Sequence, residues 1–526
     1  MTTEETPVFD RLGDYARHWS AMHPTHEALV LADDRWTYQR LANHVQALSK
    51  ALLAAGVRHG DRVAMLVGSR PEFFAAMLAA SDIGAIWLGL HPRYQLPEFR
   101  HALREATPKI LLAFPEIDGR SYASELQTLC NEFECVEQLV SLKGPVAGAA
   151  PMAAFLAAGK AVSDRALDAA RSRVDAGDTA VIIFTSGTTG APKGAMVSHR
   201  GLITGALTQR RHWPSDAMRL LQTMPANHIA CIGMSTAQAL VSGGATVFIE
   251  RFSPAAMLDV IESEQITFVM HSPAVFHMLM SEPDIGQRDL SSIEYLLWAG
   301  APMMPKLIKS LRALGARLGT AFGMTELGAY VCYSAPDAAF EVLASTIGAP
   351  EPSYELRLGT ATGEPVEIGQ EGEIQARGPW LMNGYFNHPE LTREDYTADG
   401  WFRTGDIAVV HEDGTWALVG RSKEMFKSGG YNVYPREVEL AIESHPDVAM
   451  AAVLGVPDPL WYEVGYAFVQ PAADRSVDVE RLTQWCRERL ANYKIPKTFE
   501  VMTELPKLPI GKIDKQGLRR SLNAAQ

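Results

Sequence analysis

Short β-branched and aliphatic runs alternate with longer stretches of helical period through the first two thirds of the chain. Residues 61–68 (DRVAMLVG) predict a strand. Residues 71–80 predict a helix opened by Pro71, since proline at the first turn gives up no needed N–H. Further strands are predicted over 109–114, 179–184, 245–249 and 268–270, with helical patterns between several of them. Such alternation predicts an α/β architecture with mixed or parallel sheets flanked by helices. The uncharged stretch 229–249 is broken by Gly233, Gly243, Gly244 and several Ser, Thr and Gln side chains. It therefore predicts a buried helix followed by a strand rather than a membrane span.

The texture changes near residue 348, where Gly, Pro and Asp punctuate short runs at 354–358, 372–376 and 416–419. A small β-rich module over about 348–420 is the expectation. Beyond Arg421, Pro435 opens a helical stretch over 436–444 that His445-Pro446 ends, and strands are predicted over 448–453 and 466–469. The chain thus divides into a large N-terminal domain, 1–421, and a smaller α+β domain, 422–526.

Length supports this division, because 526 residues exceed what one hydrophobic core serves. An apolar content of 47% with 21% charged residues is that of a soluble globular protein. The net charge of −13 argues against nucleic acid or an anionic membrane as partner, since both need basic faces. Five scattered cysteines, Cys130, Cys135, Cys231, Cys332 and Cys486, without metal-ligand company predict reduced thiols in a cytoplasmic protein. The N-terminal residues lack a basic and an apolar signal region, and the final residues lack a peroxisomal or prenylation tag, so no export or membrane address is expected.

Candidate chemistry concentrates after the strand at 179–184. Thr185-Ser186-Gly187-Thr188-Thr189-Gly190-Ala191-Pro192-Lys193-Gly194 combines glycines, hydroxyls and one lysine. Glycines let backbone N–H groups approach a phosphate, hydroxyls add donors and lysine adds charge. These are the means of gripping the β,γ-phosphates of a nucleotide. The order is not that of the NTPase P-loop, because Gly194 follows the lysine where Ser or Thr is required. Four later segments join it: Phe322-Gly323-Met324-Thr325-Glu326, Trp401-Phe402-Arg403-Thr404-Gly405-Asp406, Gly420-Arg421-Ser422-Lys423-Glu424 running on to Gly429-Gly430, and Pro506-Lys507-Leu508-Pro509-Ile510-Gly511-Lys512. Alone, Glu326 or Asp406 would pass for a helix cap or turn residue, and Lys512 for a solvated cation.

In this order and spacing the five segments resemble the adenylate-forming superfamily of acyl-CoA synthetases, peptide-synthetase adenylation domains and beetle luciferases, over nearly the whole chain. The resemblance implies a two-step reaction. A carboxylate attacks the α-phosphorus of ATP and displaces pyrophosphate, and a thiol then attacks the acyl-adenylate. It also implies roles. Lys193 and the hydroxyls of 185–190 would hold the leaving pyrophosphate, Glu326 would bind Mg²⁺, and Thr325 would hydrogen-bond the α-phosphate. Phe322, where the family more often has Tyr, would stack on adenine beside Gly323. Asp406 would accept the ribose hydroxyls with Arg421 behind it. Lys512 would bridge the carboxylate and α-phosphate, a task for a compact charge on a flexible stem. Lys423 would be the hinge of a mobile C-terminal lid, and Gly430 would let pantetheine pass close to the backbone.

The same resemblance places His228 at the gate of the acyl pocket, with Phe276, Trp298, Ala299, Gly300 and Met324 along its wall. The segment Met224-Pro225-Ala226-Asn227-His228 lacks the Asp with which peptide-synthetase domains pair an α-amino group, so an amino acid is disfavoured. A fatty or aromatic acid suits the apolar set, although any of these side chains could equally be core. The expected function is an ATP- and Mg²⁺-dependent carboxylic acid–coenzyme A ligase, acting as monomer or homodimer. Loading of an acyl carrier protein, and a non-catalytic nucleotide-binding relative, are the alternatives.

Overall fold

A computed structural model of the chain describes residues 7–185, 192–360, 363–428, 431–508 and 512–525. It comprises two compact units, one of Met1–Ala344 with Gly378–Glu394, the other of Ser345–Arg377 with Asp395–Gln526. The architecture is mixed α/β, as expected.

In the first unit one sheet runs in the order Tyr330–Tyr333, Arg317–Gly323, Tyr295–Ala299, Phe268–His271, Arg219–Gln222, Ala245–Phe248, Glu27–Leu31, Asp34–Thr37. Its inner pairings are parallel and its outer ones antiparallel. The second sheet orders Lys193–Ser198, Thr179–Thr185, Ile86–Leu90, Arg62–Leu66, Ile110–Ala113, Gln138–Ser141, Ala150–Pro151, parallel except for the first hairpin. The interior strand Ile86–Leu90 is buried at every position, which explains its unbroken apolar run. Helix Pro71–Ser81 is buried on almost every side, so its sequence is apolar all round rather than amphipathic.

The uncharged stretch does not form one helix. A short turn of helix, Ile229–Cys231, passes into a π-helix, Ile232–Thr236, then an α-helix, Ala237–Val241, and strand Ala245–Phe248. No helix among the described residues is long and apolar enough to cross a membrane.

The second unit holds an antiparallel four-stranded sheet, Glu355–Gly359, Glu371–Arg377, Phe402–Val410 and Trp416–Arg421. Its other sheet contains Tyr431–Val433, Phe426–Ser428, Tyr462–Pro471 and Val448–Asp458, with Thr498–Val501 parallel to Tyr462–Pro471. Strands Val448–Asp458 and Tyr462–Pro471 outrun the apolar runs that predicted them. Their register continues to Asp458 opposite Tyr462, where Pro457 and Tyr462 are exposed and the apolar run has ended. Helix Pro435–Glu443 buries Val438, Glu439 and Ile442.

Candidate active site

The first unit gathers its polar residues at the carboxyl ends of parallel strands, where open α/β sheets bind ligands. Strand Thr179–Thr185 pairs with Lys193–Ser198 so that Thr185 stands opposite Lys193. The hairpin neck is thereby fixed; Ser186, Gly187, Thr188, Thr189 and Gly190 lie outside the described residues. Thr185 Oγ1 donates to Glu326 Oε1 over 3.2 Å, and Tyr385 Oη donates to the same oxygen over 3.3 Å. Lys193 Nζ lies 4.9 Å from the centre of the Tyr385 ring. Thr185, Lys193, Glu326 and Tyr385 therefore form one cluster.

Local backbone demands explain how Glu326 reaches it. Strand Arg317–Gly323 ends in a bulge at Phe322/Gly323. A Cβ on Gly323 would fall 2.2 Å from the Ala329 carbonyl oxygen, so only glycine permits the close return of the chain. The 3₁₀ turn Thr325–Leu327 follows and buries both Thr325 and Glu326. The Glu326 backbone carbonyl accepts from Met382 N at 2.9 Å, which binds the turn to the returning segment Gly378–Glu394.

Gly300 follows the neighbouring strand, Tyr295–Ala299, with φ +83°, a conformation that favours glycine. Gly300 is exposed, Ala299 and Met324 are half-buried, and Phe322 is buried. Phe276 and Trp298 are fully buried members of a core that also contains Val269, Leu296 and Met303. His228 precedes the first turn of Ile229–Cys231, and its Nδ1 accepts from Ala230 N at 3.1 Å. That bond occupies Nδ1 and leaves Nε2 as the ring nitrogen for any other partner.

The second unit holds the remaining predicted residues. Asp406, in Phe402–Val410, lies opposite Arg421, in Trp416–Arg421. Arg421 donates from Nε to Oδ1 over 2.9 Å and from Nη2 to Oδ2 over 3.3 Å, a two-point grip on a buried carboxylate. Burial raises the Asp406 pKa above its ordinary value even against Arg421 and the positive charge of Lys512. Lys512 is exposed on one arm of a hairpin whose arms pair Lys507 with Ile513 and bring Leu508 N to donate to Lys512 O at 2.7 Å; Pro509, Ile510 and Gly511 lie outside the described residues. The Lys423 ammonium is 3.9 Å from Asp395 Oδ1. Gly430 lies outside the described residues.

Tyr385 belongs to neither predicted motif set. It lies in the Gly- and Pro-punctuated stretch expected to be β-rich, and its one signal is an aromatic residue after Gly384, whose φ is +116°. Segment 383–386 instead pairs with the strand that begins at Lys193.

Residues 16–386 match the model of the AMP-binding enzyme family, and residues 437–512 match that of the AMP-binding enzyme C-terminal domain. The chain belongs to the AMP-binding enzyme family. A feruloyl-CoA synthase of Amycolatopsis is 35% identical over 97% of this chain and 98% of its own. An indoleacetate–CoA ligase of Aromatoleum aromaticum is 33% identical over the same shares of the two chains, 97% and 98%. Among solved structures, an amide bond synthetase from Marinactinospora thermotolerans superposes with a TM-score of 0.84 at 30% identity, covering 97% of this chain and 99% of that one. This AMP-binding enzyme is thus an adenylate-forming acid–thiol ligase of the ATP-dependent, AMP-forming type.

Its residues also suit magnesium. No group of three or more His, Cys, Asp or Glu side chains among the described residues could cage a metal. Mg²⁺ needs no such cage, since it keeps several waters and is commonly held by one or two carboxylates with substrate phosphates. Glu326, which accepts from the Thr185 and Tyr385 hydroxyls, offers carboxylate oxygens of the kind such an ion takes.

Proposed function

We propose that this AMP-binding enzyme is a cytoplasmic, Mg²⁺-dependent ligase that joins an aromatic carboxylic acid to coenzyme A. The observation that carries the reading is the Thr185–Glu326–Tyr385–Lys193 cluster, which combines a carboxylate for a hard cation with an ammonium for polyphosphate. The choice of an aromatic acid rests on the feruloyl- and indoleacetate-CoA relatives, which align over nearly the whole chain.

In the first step a carboxylate oxygen of the acid forms a bond to the α-phosphorus. The bond from that phosphorus to the bridging oxygen of pyrophosphate breaks, and the electron pair leaves with pyrophosphate. Glu326 would hold magnesium, which would supply positive charge against the phosphates. Lys193 and the hydroxyls of 185–190 hold the departing group, while Thr325 donates to the α-phosphate. Phe322 and Gly323 flank adenine. Asp406, steadied by Arg421, accepts from the ribose hydroxyls. Lys512 brings its charge to the attacking carboxylate and the α-phosphate.

In the second step the thiolate sulfur of coenzyme A attacks the acyl carbon, and AMP leaves with the electrons of the broken C–O bond. Lys423 is the hinge at which the C-terminal lid, 422–526, rotates to withdraw Lys512, and Gly430 admits pantetheine. His228 borders the acyl site with Ala299, Gly300 and Met324, backed by Phe276 and Trp298.

A pyrophosphate-release screen over arylpropenoic, arylacetic and medium-chain fatty acids, run with and without coenzyme A, tests the reading. The expected result is release and thioester formation with the aryl acids, at kcat/KM at least about tenfold above the fatty acids, equivalent to one buried-group difference. Turnover confined to fatty acids would contradict the aromatic assignment, and release without thioester would contradict coenzyme A as acceptor.

A further inference from the structure

Lys515, three residues beyond Lys512, sits between two carboxylates. It is the first residue of helix Lys515–Ala525, and its Nζ lies 2.6 Å from Glu424 Oε2 and 2.8 Å from Glu439 Oε1. The two arms are unequal. The Glu424 side chain is 38% exposed, so solvent screens that contact. The Glu439 side chain is 3% exposed and held from several directions. Its Oε1 also accepts from Val453 N at 2.9 Å, and its Oε2 lies 3.2 Å from Arg436 Nη1. The Glu439 arm therefore anchors Lys515 to helix Pro435–Glu443 and strand Val448–Asp458.

The intervening chain leaves little slack. Asp514 N donates to Pro506 O at 2.8 Å, Asp514 Oδ1 accepts from Gly517 N at 2.8 Å, and Lys507 pairs with Ile513. The Lys512 hairpin is thus tied at its base to the residue that Glu424 and Glu439 hold. Every member of the clamp lies C-terminal to Lys423, so a rotation at Lys423 would leave it intact.

We infer that Lys515 is a positioning residue for adenylate formation, fixing the Lys512 hairpin to Glu424, just past the hinge, and to Glu439. The inference rests on the roles given above to Lys512 and Lys423. It makes Lys512 arrive and withdraw as part of one rigid piece. A loose hairpin would present the ammonium in many places, and a misplacement near 1 Å costs on the order of 100-fold in rate.

The test is Lys515→Met beside Lys515→Arg and Lys512→Ala in the full-length enzyme. ATP–pyrophosphate exchange reads the first half-reaction, thioester formation from supplied acyl-adenylate reads the second, and hydrogen exchange reads residues 506–514. For Lys515→Met the expected loss is on the order of 10- to 100-fold in exchange. Thioester formation should change by no more than about twofold, hydrogen exchange in the hairpin should quicken, and Lys515→Arg should restore most of the activity. Glu424→Gln, at the exposed arm, should lower the same half-reaction by about two- to fivefold and serves should Lys515→Met fail to fold. Equal loss in both half-reactions, or undiminished exchange, in Lys515→Met (or in Glu424→Gln if that is the variant that folds) would overturn the inference. If Lys512→Ala is selective while the clamp variant is not, only the positioning role falls. If Lys512→Ala also lacks selectivity, the role of Lys512 falls with it.

Discussion

Glu326 in the first unit and Asp406 in the second are equally buried carboxylates held by different donors. Glu326 accepts from the hydroxyls of Thr185 and Tyr385, whereas Asp406 is gripped at both oxygens by the Arg421 guanidinium. Hydroxyl donors leave a carboxylate's oxygens able to take a cation as well, the role proposed for Glu326. A guanidinium cancels most of the charge and fixes the plane of the carboxylate, which suits one meant to accept from neutral hydroxyls. Burial alone would not suggest different jobs for the two; the proposed division rests on the donors each carboxylate meets.

The comparison can be broken by two variants read on two different axes. Glu326→Gln should lower kcat for adenylate formation on the order of 100- to 1,000-fold, the scale of losing one electrostatic stabiliser at a reacting phosphate. It should also raise the magnesium concentration for half-maximal activity while leaving ATP KM less affected. Asp406→Asn should do the reverse, raising ATP KM on the order of 10- to 100-fold, as for a lost hydrogen bond to a charged group. Magnesium and ATP titrations of both variants decide the matter, and a shift of the same parameter in both would erase the distinction.

The smallest expected effect sharpens the same contrast through pH. Because burial holds the Asp406 pKa above the ordinary carboxylate range, the carboxyl is protonated as pH falls through that raised value. ATP KM should then begin to rise at a higher pH than an ordinary aspartate would allow, and Asp406→Asn should flatten that limb. Stability runs the other way for this group. The folded state binds its proton more tightly than the unfolded state, so the group's contribution to stability grows as pH falls through the same window.

Much of the first unit was legible because its strands are short apolar runs closed by turns. The predicted strand at 179–184 is observed as Thr179–Thr185, and the predicted helix at 71–80 as Pro71–Ser81. The family could be read because five motif segments follow one another in a fixed order. Tyr385 was not legible, because its partners Lys193 and Glu326 lie far away in sequence and no local pattern announces the return of Gly378–Glu394. The π-helix Ile232–Thr236 was hidden for another reason: an apolar, uncharged stretch carries no period to mark a change of hydrogen-bonding step. Nothing in the sequence singles out Lys515, since only its three-dimensional neighbours, Glu424 and Glu439, distinguish it.

The central proposal is that Lys512 acts on the first step of the two-step reaction alone. Measuring both half-reactions in Lys512→Ala tests it most directly. ATP–pyrophosphate exchange should fall on the order of 100- to 1,000-fold, the scale of one lost stabilising charge. Thioester formation from supplied aryl-adenylate and coenzyme A should stay within about threefold of the parent enzyme, less than one ordinary hydrogen bond. Equal loss in the two assays would contradict the account.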